Sequence, residues 1–405
     1  MLLCKKIKIE VGPQDAEALE FMQGKCRGLY NWWVMRLRSG ERWNFERAKK
    51  SLHESKQYDE ELRYVYGKLL AEVYYRLDRA MQAFFRRLAK GEAPGFPRFK
   101  QRHQFFTLCY PAMYLQVQGE SIILPTGGGG KWGPKRHMNI VAYLTEQPPQ
   151  HFREVAVSRD ARGNYYCSFV YDDAEQRGDK ASRKSEPRTL REGGIVAFDL
   201  GIKTLATGVN GQGRFYHIGG FHGYRWYNKQ LDKIRSKRDR CKKKSRRYIR
   251  LSKVYKRVSE RKRNKQRDCL HKASHLIAHR LAERAVVIGD LSQRQMVIRR
   301  CEQETPKEKR KRQIRNRMVY NDWGLYGFVQ MLKYKCLRFG KELFLEDERD
   351  TTKTCHVCEH KKDMPLWVRT YRCVNCGLVM DRDENSAVNI YQRFLARPGP
   401  HIHLS

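Results

Sequence analysis

Two Cys-x-x-Cys pairs near the end of the 405-residue chain constrain its fold more than any other feature. The four residues are Cys355, Cys358, Cys373 and Cys376. Thiolates two residues apart on a tight turn can share one tetrahedral ion, so two such turns complete a zinc site. The 14 residues between the pairs make the spacing slightly shorter than in the usual zinc ribbon. The pattern predicts structural zinc. A redox dithiol is the alternative, but no thioredoxin-like βαβ pattern surrounds either pair.

The charge of the chain indicates its class of partner. Lys and Arg number 83 and Asp and Glu 44, for a formal net charge of +39. Residues 233–268 alone contain 19 basic and three acidic residues. Such an excess repels itself in a free compact protein and is balanced when the partner is a polyanion. We therefore predict nucleic-acid binding, with a merely soluble basic protein as the alternative.

Cysteine usage and hydropathy indicate the compartment. The other eight cysteines are scattered without a pattern, and we interpret them as small buried side chains in a reducing cytoplasm. No apolar run approaches the roughly 20 residues that a membrane span needs, and the start MLLCKKIKIE is too short and too charged for a signal peptide. We predict a cytoplasmic, nucleoid-associated protein with no membrane partner.

Hydrophobic periodicity divides the first half of the chain. Residues 2–11 alternate as a strand does, residues 14–90 have helical spacing, and residues 96–173 return to short alternating runs between turns. This order predicts an antiparallel barrel with helices inserted after its first strand. The predicted parts are a wedge-like β-barrel of residues 1–12 and 96–173, a helical recognition domain of residues 13–95, and a polar linker of residues 174–190.

The second half has the element order of an RNase H-like α/β domain. Three strands, the first ending at Asp199, precede a basic helix or helix pair. A buried strand at 285–291, a mobile polar loop at 292–320, a helix led by Asn321 or Asp322, and a strand at 342–348 follow. Such sheets place ligands beyond the strand ends. The predicted multidomain α+β chain thus continues with a nuclease domain of residues 191–350 and 377–396, a zinc insert of residues 351–376 and a tail of residues 397–405.

Acidic residues stand where this fold would bind metal ions. Asp199 ends the first strand, and Asp383 begins a helix. Two Mg²⁺ ions about 4 Å apart, held by three or so converging carboxylates, activate water and stabilise the attacked phosphate. The alternative role for Asp383 is a helix N-cap, for which Asp381 competes.

These motifs together resemble the TnpB family, the transposon-encoded RNA-guided nucleases related to compact type V CRISPR effectors. The resemblance rests on the run Asp199-Leu-Gly-Ile-Lys-Thr-Leu-Ala-Thr, the paired cysteines and Asp381-Arg-Asp383-Glu-Asn-Ser-Ala-Val-Asn-Ile. Two earlier segments, 26–32 and 95–100, also look like the family's. The resemblance implies a RuvC-like core in which two Asp and one Glu hold two Mg²⁺. It also implies a zinc insert that binds target nucleic acid, and an N-terminal half that holds guide RNA and reads a short motif beside a double-stranded DNA target. Candidate nucleic-acid contacts are Arg27, Asn31, Arg98, Lys100, Lys242, Lys243, Arg246 and Arg247.

The sequence departs from this family at Gly289, where the family usually has a Glu. One interpretation is that Glu348 replaces the missing ligand, because it should end a strand about 4.8 Å from that of Gly289, and a Glu side chain spans such a gap. A second is that Asp290 turns inward, which the alternation of strand side chains disfavours. A third is a relative that has lost cleavage. We predict Asp199, Glu348 and Asp383 as the catalytic set.

The sequence thus supports two main functions. The first is an RNA-guided DNA endonuclease with two Mg²⁺, one structural Zn²⁺ and a guide RNA as cofactors. The second is an RNA-guided DNA-binding protein, such as a repressor, with a degenerate site. A compact type V CRISPR effector stays open as well, as does the choice between monomer and dimer. A DDE transposase shares the RNase H-like core, but its C-terminus looks unlike the zinc-plus-Asp segment.

Overall fold

The structure is a computed structural model that describes residues 1–102, 104–127, 139–173, 194–202, 204–291, 297, 304–365, 368–396 and 402–403. The chain divides into two units, Met1–Lys184 and Ser185–Ser405. Each unit has its own sheet and hydrophobic core, so the chain is a mixed α+β protein. The predicted linker, residues 174–190, lies outside the described residues.

The first unit is built on a seven-stranded antiparallel sheet in the order β2-β6-β7-β1-β5-β4-β3. Its strands are β1 (Leu2–Val11), β2 (Leu108–Pro111), β3 (Gln116–Gln118), β4 (Ser121–Pro125), β5 (Asn139–Leu144), β6 (Glu154–Arg159) and β7 (Tyr165–Asp172). The alternation seen in the sequence places Ile7 and Ile9 in the core. The strand order among the described residues is open, so the predicted antiparallel barrel is a half-barrel sheet. Its edge strands β2 and β3 have only four and three residues, too few to pair extensively.

A helical segment connects β1 to β2. It contains α1 (Pro13–Arg38), α2 (Phe45–Lys50), α3 (Leu52–Tyr58), a 3₁₀ turn (Glu60–Tyr64) and α4 (Gly67–Ala89), and a second 3₁₀ turn, Ala112–Tyr114, separates β2 from β3. Pro13 begins α1 at a position where a missing N–H costs nothing. The apolar stripe of α4, from Leu69 to Met81, is buried and belongs to the same core as the sheet.

The second unit contains a six-stranded sheet in the order β10-β9-β8-β11-β12-β15. Its strands are β8 (Ile195–Leu200), β9 (Thr204–Asn210), β10 (Phe215–Gly219), β11 (Ala285–Gly289), β12 (Glu342–Glu346) and β15 (Ile402–His403). Strands β8 to β10 are antiparallel, and β8, β11 and β12 are parallel. A separate hairpin consists of β13 (Thr370–Arg372) and β14 (Val379–Asp381).

Helices cover both faces of this sheet. They are α5 (Tyr224–Asp239), α6 (Arg246–His275), α7 (Pro306–Arg317), α8 (Leu325–Arg338) and α9 (Arg382–Ala396), with π-helical turns at Leu276–Leu281 and Met318–Asp322. A buried ion pair between Lys262 and Asp322, with Asn228 bonded to both, fixes α5 and α6 to the turn that precedes α8. No described helix is long and apolar enough to span a membrane.

Several predicted boundaries were wrong. The second half of the predicted loop 292–320 is helical, because Thr305 and Glu308 form a capping box that starts α7. Helix α8 begins at Leu325 and not at Asn321 or Asp322, because Gly324 (φ +70°) interrupts the helix. Strand β12 ends at Glu346, two residues earlier than predicted. Within the predicted tail, Ile402–His403 form β15 and pair with β12.

Candidate catalytic and metal-binding sites

Asp199 lies near the end of β8, on the sheet face covered by α9. Its neighbours Ala197 and Ile195 pack against Ile390 and Phe394 of α9, and alternation places Asp199 on the same face. Burial, then the negative charge of Asp383, raises the pKa of Asp199 from 3.8 to about 7, although Arg382 and a hydrogen bond with Ser386 oppose the rise. Burial and the charge of Asp383 therefore outweigh the stabilising effect of Arg382 on the Asp199 carboxylate.

Asp381, and not Asp383, caps the N-terminus of α9. The Asp381 Oδ1 atom accepts hydrogen bonds from the backbone N–H groups of Asp383 (2.7 Å) and Glu384 (3.3 Å). This is the geometry of an N-cap carboxylate, so the competition that the sequence left open is settled for this helix. The Asp383 side chain is thereby available for another role.

Two arginines hold the Asp383 carboxylate. Arg369 Nη1 donates to both carboxylate oxygens at 3.0 Å, and Arg382 Nη2 lies 3.4 Å from Oδ1. Arg369 directly precedes β13, so the hairpin of β13 and β14 contributes a side chain to the acidic site. Nothing in the sequence pattern marked this contact, because Arg369 is one of 83 basic residues and its partner is 14 positions away.

Glu348 occupies the space that a side chain at position 289 would need. A Cβ at Gly289 would overlap with Glu348 Oε2 and lie 3.2 Å from the Glu348 Cβ and Cδ atoms. The pairing of β11 with β12 places Gly289 opposite Glu346, and Glu348 follows two residues later. The Glu348 Oε2 atom is buried and has no hydrogen-bond partner among the described residues. Asp290, the rival candidate, is exposed.

Glu348 and Asp199 are coupled electrostatically. Burial, then the charges of Asp199, Asp290 and Asp347, raises the pKa of Glu348 from 4.5 to about 8. Asp199 thus interacts electrostatically with both Glu348 and Asp383. An orphaned carboxylate oxygen beside two further carboxylates fits a hard divalent cation, which prefers oxygen ligands.

These raised pKa values predict how stability depends on pH. The folded state holds the protons of Asp199 and Glu348 more tightly than the unfolded chain does. Their contribution to the free energy of unfolding is therefore complete below about pH 4 and is lost as the pH rises through 7 and 8. In buffer without Mg²⁺, we expect the melting temperature of the second unit to fall over this range and Asp199→Asn to reduce the fall. Differential scanning fluorimetry from about pH 5 to 9 measures both; an equally steep fall in the variant contradicts the assignment.

The four cysteines form a second site. Their Sγ atoms all lie within 4.8 Å of one another, with Cys355 and Cys376 at 3.6 Å and Cys358 and Cys373 at 3.5 Å. A tetrahedral ion with Zn–S bonds of about 2.3 Å needs sulfur atoms about 3.8 Å apart. In the part of the chain that the structure describes, no other group of three or more His, Cys, Asp or Glu residues is as compact.

Both cysteine pairs lie on turns of the same design. In each turn, the N–H of the first cysteine donates to a carbonyl five residues later: Cys355 to His360 (3.0 Å) and Cys373 to Leu378 (2.8 Å). Glu359 and Gly377, at equivalent positions, have positive φ angles. His356 bonds to the Asn385 side chain at 3.1 Å, so this potential rival ligand is already engaged.

Helix α9 connects the two sites. Asn385 and Asn389, one turn apart, each donate to the Thr354 carbonyl at 2.7 Å. Ser386, on the same part of the helix, donates to the Thr351 hydroxyl at 2.8 Å and bonds to Asp199. Residues 351–354 lead directly into the first cysteine turn. One helix therefore orients Asp383, contacts Asp199 and holds the cysteine module, which the sequence motif did not reveal.

The predicted nucleic-acid contacts of the first unit stay predictions. Asn31 exchanges two hydrogen bonds with the backbone of Lys100, at 2.7 and 2.9 Å, so its amide fixes residues 95–100 to α1. Arg27 donates to the carbonyl of Arg102 at 3.2 Å. Arg98 is exposed. The structure thus gives Asn31 and Arg27 a role in positioning this basic segment.

The contacts predicted in the second unit are all exposed. Lys242 and Lys243 lie in the turn between α5 and α6, and Arg246 and Arg247 begin α6. Ser245 caps this helix by accepting from the backbone N–H of Tyr248. The first turn of α6 contains no acid. Cations at the positive end of a helix dipole are unfavourable unless an anion lies nearby.

Comparisons with known proteins agree with this architecture. A family model described as "Probable transposase" (OrfB_IS605) matches residues 169–300, and one described as "Cas12f1-like, TNB domain" matches residues 326–390. A solved Cas12f1–sgRNA–target DNA complex contains a chain with a TM-score of 0.55 and 12% identity, over 94% of this chain and 83% of that one. At this identity the likeness shows a shared fold.

Several relatives are TnpB-like by name. TnpB-like protein L79 of Acanthamoeba polyphaga mimivirus is 30% identical over 146 residues, 36% of this chain and 26% of its own length. A Streptomyces pristinaespiralis protein named "Putative RNA-guided DNA endonuclease" is 29% identical over 245 residues, 60% of this chain and 53% of its own length. The chain thus spans about half or less of the relatives it matches. The family models, these relatives and the motifs around the acidic and cysteine sites agree, and all of them make this chain similar to TnpB proteins.

Proposed function

We propose that the protein is an RNA-guided DNA endonuclease that hydrolyses DNA phosphodiesters at Asp199, Glu348 and Asp383. The observation that carries this proposal is the buried, unpartnered Oε2 atom of Glu348, which fills the space left by Gly289 and lies within the electrostatic influence of Asp199. Burying two interacting carboxylates without a cation is costly, and such acidic groups are characteristic of functional sites. A protein that only binds DNA has no use for this arrangement.

The three acidic residues would together be the protein ligands of two Mg²⁺ ions. When bound, the ions supply a hydroxide nucleophile at neutral pH and neutralise charge on the attacked phosphate. Asp199, Glu348 and Asp383 would supply the carboxylate ligands, and Asp199 interacts electrostatically with both of the others. Arg369 orients the Asp383 carboxylate and offers a positive charge beside the site.

Guide RNA and target DNA are the partners that the charge of the chain supports. The exposed basic turn of Lys242, Lys243, Arg246 and Arg247 offers cations and a helix N-terminus to a phosphate backbone. Sequence choice would come from pairing between guide and target, while the protein contacts backbone and helix shape. The name of the Streptomyces pristinaespiralis relative supports the same partners.

The cysteine module is proposed to bind one structural Zn²⁺. Cys373→Ser should reduce bound zinc from about one ion per chain to near zero, because three ligands on separate turns bind far more weakly than four. Since the same hairpin presents Arg369 to Asp383, DNA cleavage should fall as well. Zinc content is measured by a colorimetric chelator assay on the purified protein, and cleavage on a matched target.

Cys269→Ser is the matched control for zinc binding. Cys269 is a partly exposed thiol on α6, outside the group of four. This variant should keep its zinc and its activity. Full zinc retention by Cys373→Ser contradicts the four-cysteine site.

The activity is tested with the ribonucleoprotein that forms in cells. The chain is expressed together with its flanking DNA, and the copurified RNA is sequenced to identify the guide. The complex is then incubated with plasmids that contain the matching target beside randomised bases, with and without Mg²⁺. We expect Mg²⁺-dependent cleavage next to a short preferred motif, and none with Asp199→Ala.

The same experiment separates the endonuclease from a guide-dependent binding protein. If the wild-type complex retains matching plasmids on a filter but leaves them uncut in Mg²⁺ and Mn²⁺, the protein binds without cutting. If it neither retains nor cuts them, RNA guidance itself is contradicted. Retention followed by cutting supports the proposed function.

A further inference from the structure

A histidine–glutamate pair extends the acidic site toward the edge of the sheet. His217 on β10 and Glu384 on α9 are linked by a contact of 3.0 Å between Nε2 and Oε1. The His217 side chain is 53% exposed, whereas that of Glu384 is 22% exposed. The less exposed Glu384 carboxylate thus bonds to one nitrogen of the accessible His217 imidazole and fixes the orientation of the ring.

Strand register places His217 in one row with Asp199. His217 pairs with Thr207 of β9, and Thr207 pairs with Asp199 of β8. Directly paired residues point to the same face of a sheet, so all three face α9. Two strand spacings separate His217 from Asp199, which is about 10 Å.

The first turn of α9 lies along this row. Asp381 caps the turn. Asp383 then interacts electrostatically with Asp199, and Glu384 bonds to His217. Consecutive helical residues point about 100° apart, so Asp383 and Glu384 serve neighbouring positions. The turn that orients a proposed Mg²⁺ ligand therefore also orients His217.

We propose that His217 binds the backbone phosphate one nucleotide from the scissile phosphate, and so positions the DNA strand along the row. This inference rests on the proposed endonuclease function. A carboxylate on Nε2 and a phosphate oxygen at Nδ1 allow an imidazolium to donate both of its N–H groups. An exposed ion pair contributes little to stability, so a purely structural role for His217 would leave cleavage unchanged when it is removed.

Neutral linkages in the DNA test this contact directly. A methylphosphonate replaces the charged oxygen of one phosphate by a methyl group, and it is placed on either side of the scissile phosphate or, as a control, several nucleotides away. Wild-type cleavage should slow about tenfold at one adjacent position, the equivalent of about 1.4 kcal/mol. His217→Ala should be slowed to a similar degree on ordinary DNA and should show no further loss with the same methylphosphonate. His217→Arg should recover part of the rate because it restores a cation.

His222→Ala is the matched control, since His222 is an exposed histidine that follows β10 outside the row. It should cut as the wild type does. The inference is overturned if His217→Ala cuts at the wild-type rate, or if it stays as sensitive to the neutral linkage as the wild type. If the wild-type complex cuts no matching target, the endonuclease function fails and this inference fails with it. If the wild type cuts the target and His217→Ala cuts it equally fast, only the inference about His217 is overturned, and the endonuclease function stands.

Discussion

Glu348→Gln should abolish Mg²⁺-dependent cleavage and leave RNA-guided DNA binding intact. The substitution keeps the size of the side chain and removes the charge that a cation needs. We expect the single-turnover rate to fall by at least about a hundredfold. Binding should stay within about twofold, because the basic surfaces that contact phosphates are untouched. Cleavage is followed on a labelled target duplex, and binding by gel shift at the same ionic strength.

The free energy of unfolding distinguishes this effect from damage to the fold. In wild type without Mg²⁺, the Glu348 carboxylate is buried beside Asp199, and its pKa is raised to about 8. The neutral amide removes that repulsion, so Glu348→Gln should melt no lower than wild type at pH 8. Loss of activity without loss of stability is the signature of a functional group that stores unfavourable energy.

Glu342→Gln provides the matched control. Glu342 is an exposed glutamate at the start of β12, the strand that ends two residues before Glu348. It should leave cleavage and binding unchanged. If Glu348→Gln cuts at the wild-type rate, Glu348 does not replace the missing ligand at Gly289. Asp290 is then the remaining candidate.

The secondary structure of the second unit followed largely from hydrophobic periodicity. Strand β8 is buried on both faces, and such strands appear in a sequence as nearly continuous apolar runs. Asp199 could be proposed as a site residue because an acid interrupts such a run, and Asp383 because it follows the paired cysteines and begins a helix. Both predictions used local sequence alone, which carries enough information when a residue's environment is set by its own element.

Contacts between distant elements could not be predicted in this way. The bond from Arg369 to Asp383 and that from His217 to Glu384 depend on how the hairpin and α9 lie against the sheet. The N-cap role of Asp381 required backbone geometry, since Asp381 and Asp383 fit the motif equally well. Helix α7 was missed for a different reason: its capping box was present in the sequence, but the apolar stripe that usually reveals a helix is absent.

Gly289→Ala should reduce cleavage about tenfold or more, although it adds only a single methyl group. The backbone of Gly289 does not require glycine, because its φ angle is not in the left-handed region. The added Cβ would instead overlap with Glu348 Oε2 and displace the carboxylate from the site. The measurement is the Mg²⁺ dependence of the cleavage rate, which should shift to higher concentrations.

A double-mutant cycle shows whether this effect passes through Glu348. Glu348→Ala removes the carboxylate, so adding Gly289→Ala to it should cost nothing further. Two residues that act through one contact are non-additive in this way. Independent, additive losses would show that Gly289→Ala perturbs the strand and not the glutamate.

Exchanging the two residues tests whether a carboxylate at position 289 can replace the one at position 348. Gly289→Glu in the Glu348→Ala background places a carboxylate on β11, where the family usually has its glutamate, and removes the side chain with which it would collide. We expect this double variant to cut faster than Glu348→Ala alone. Gly289→Glu by itself should be impaired, because two carboxylates then compete for one space, and overpacking costs about 1–3 kcal/mol. If the exchanged variant recovers no activity, then the position of Glu348 relative to the metal ions, and not the presence of a third carboxylate, determines catalysis.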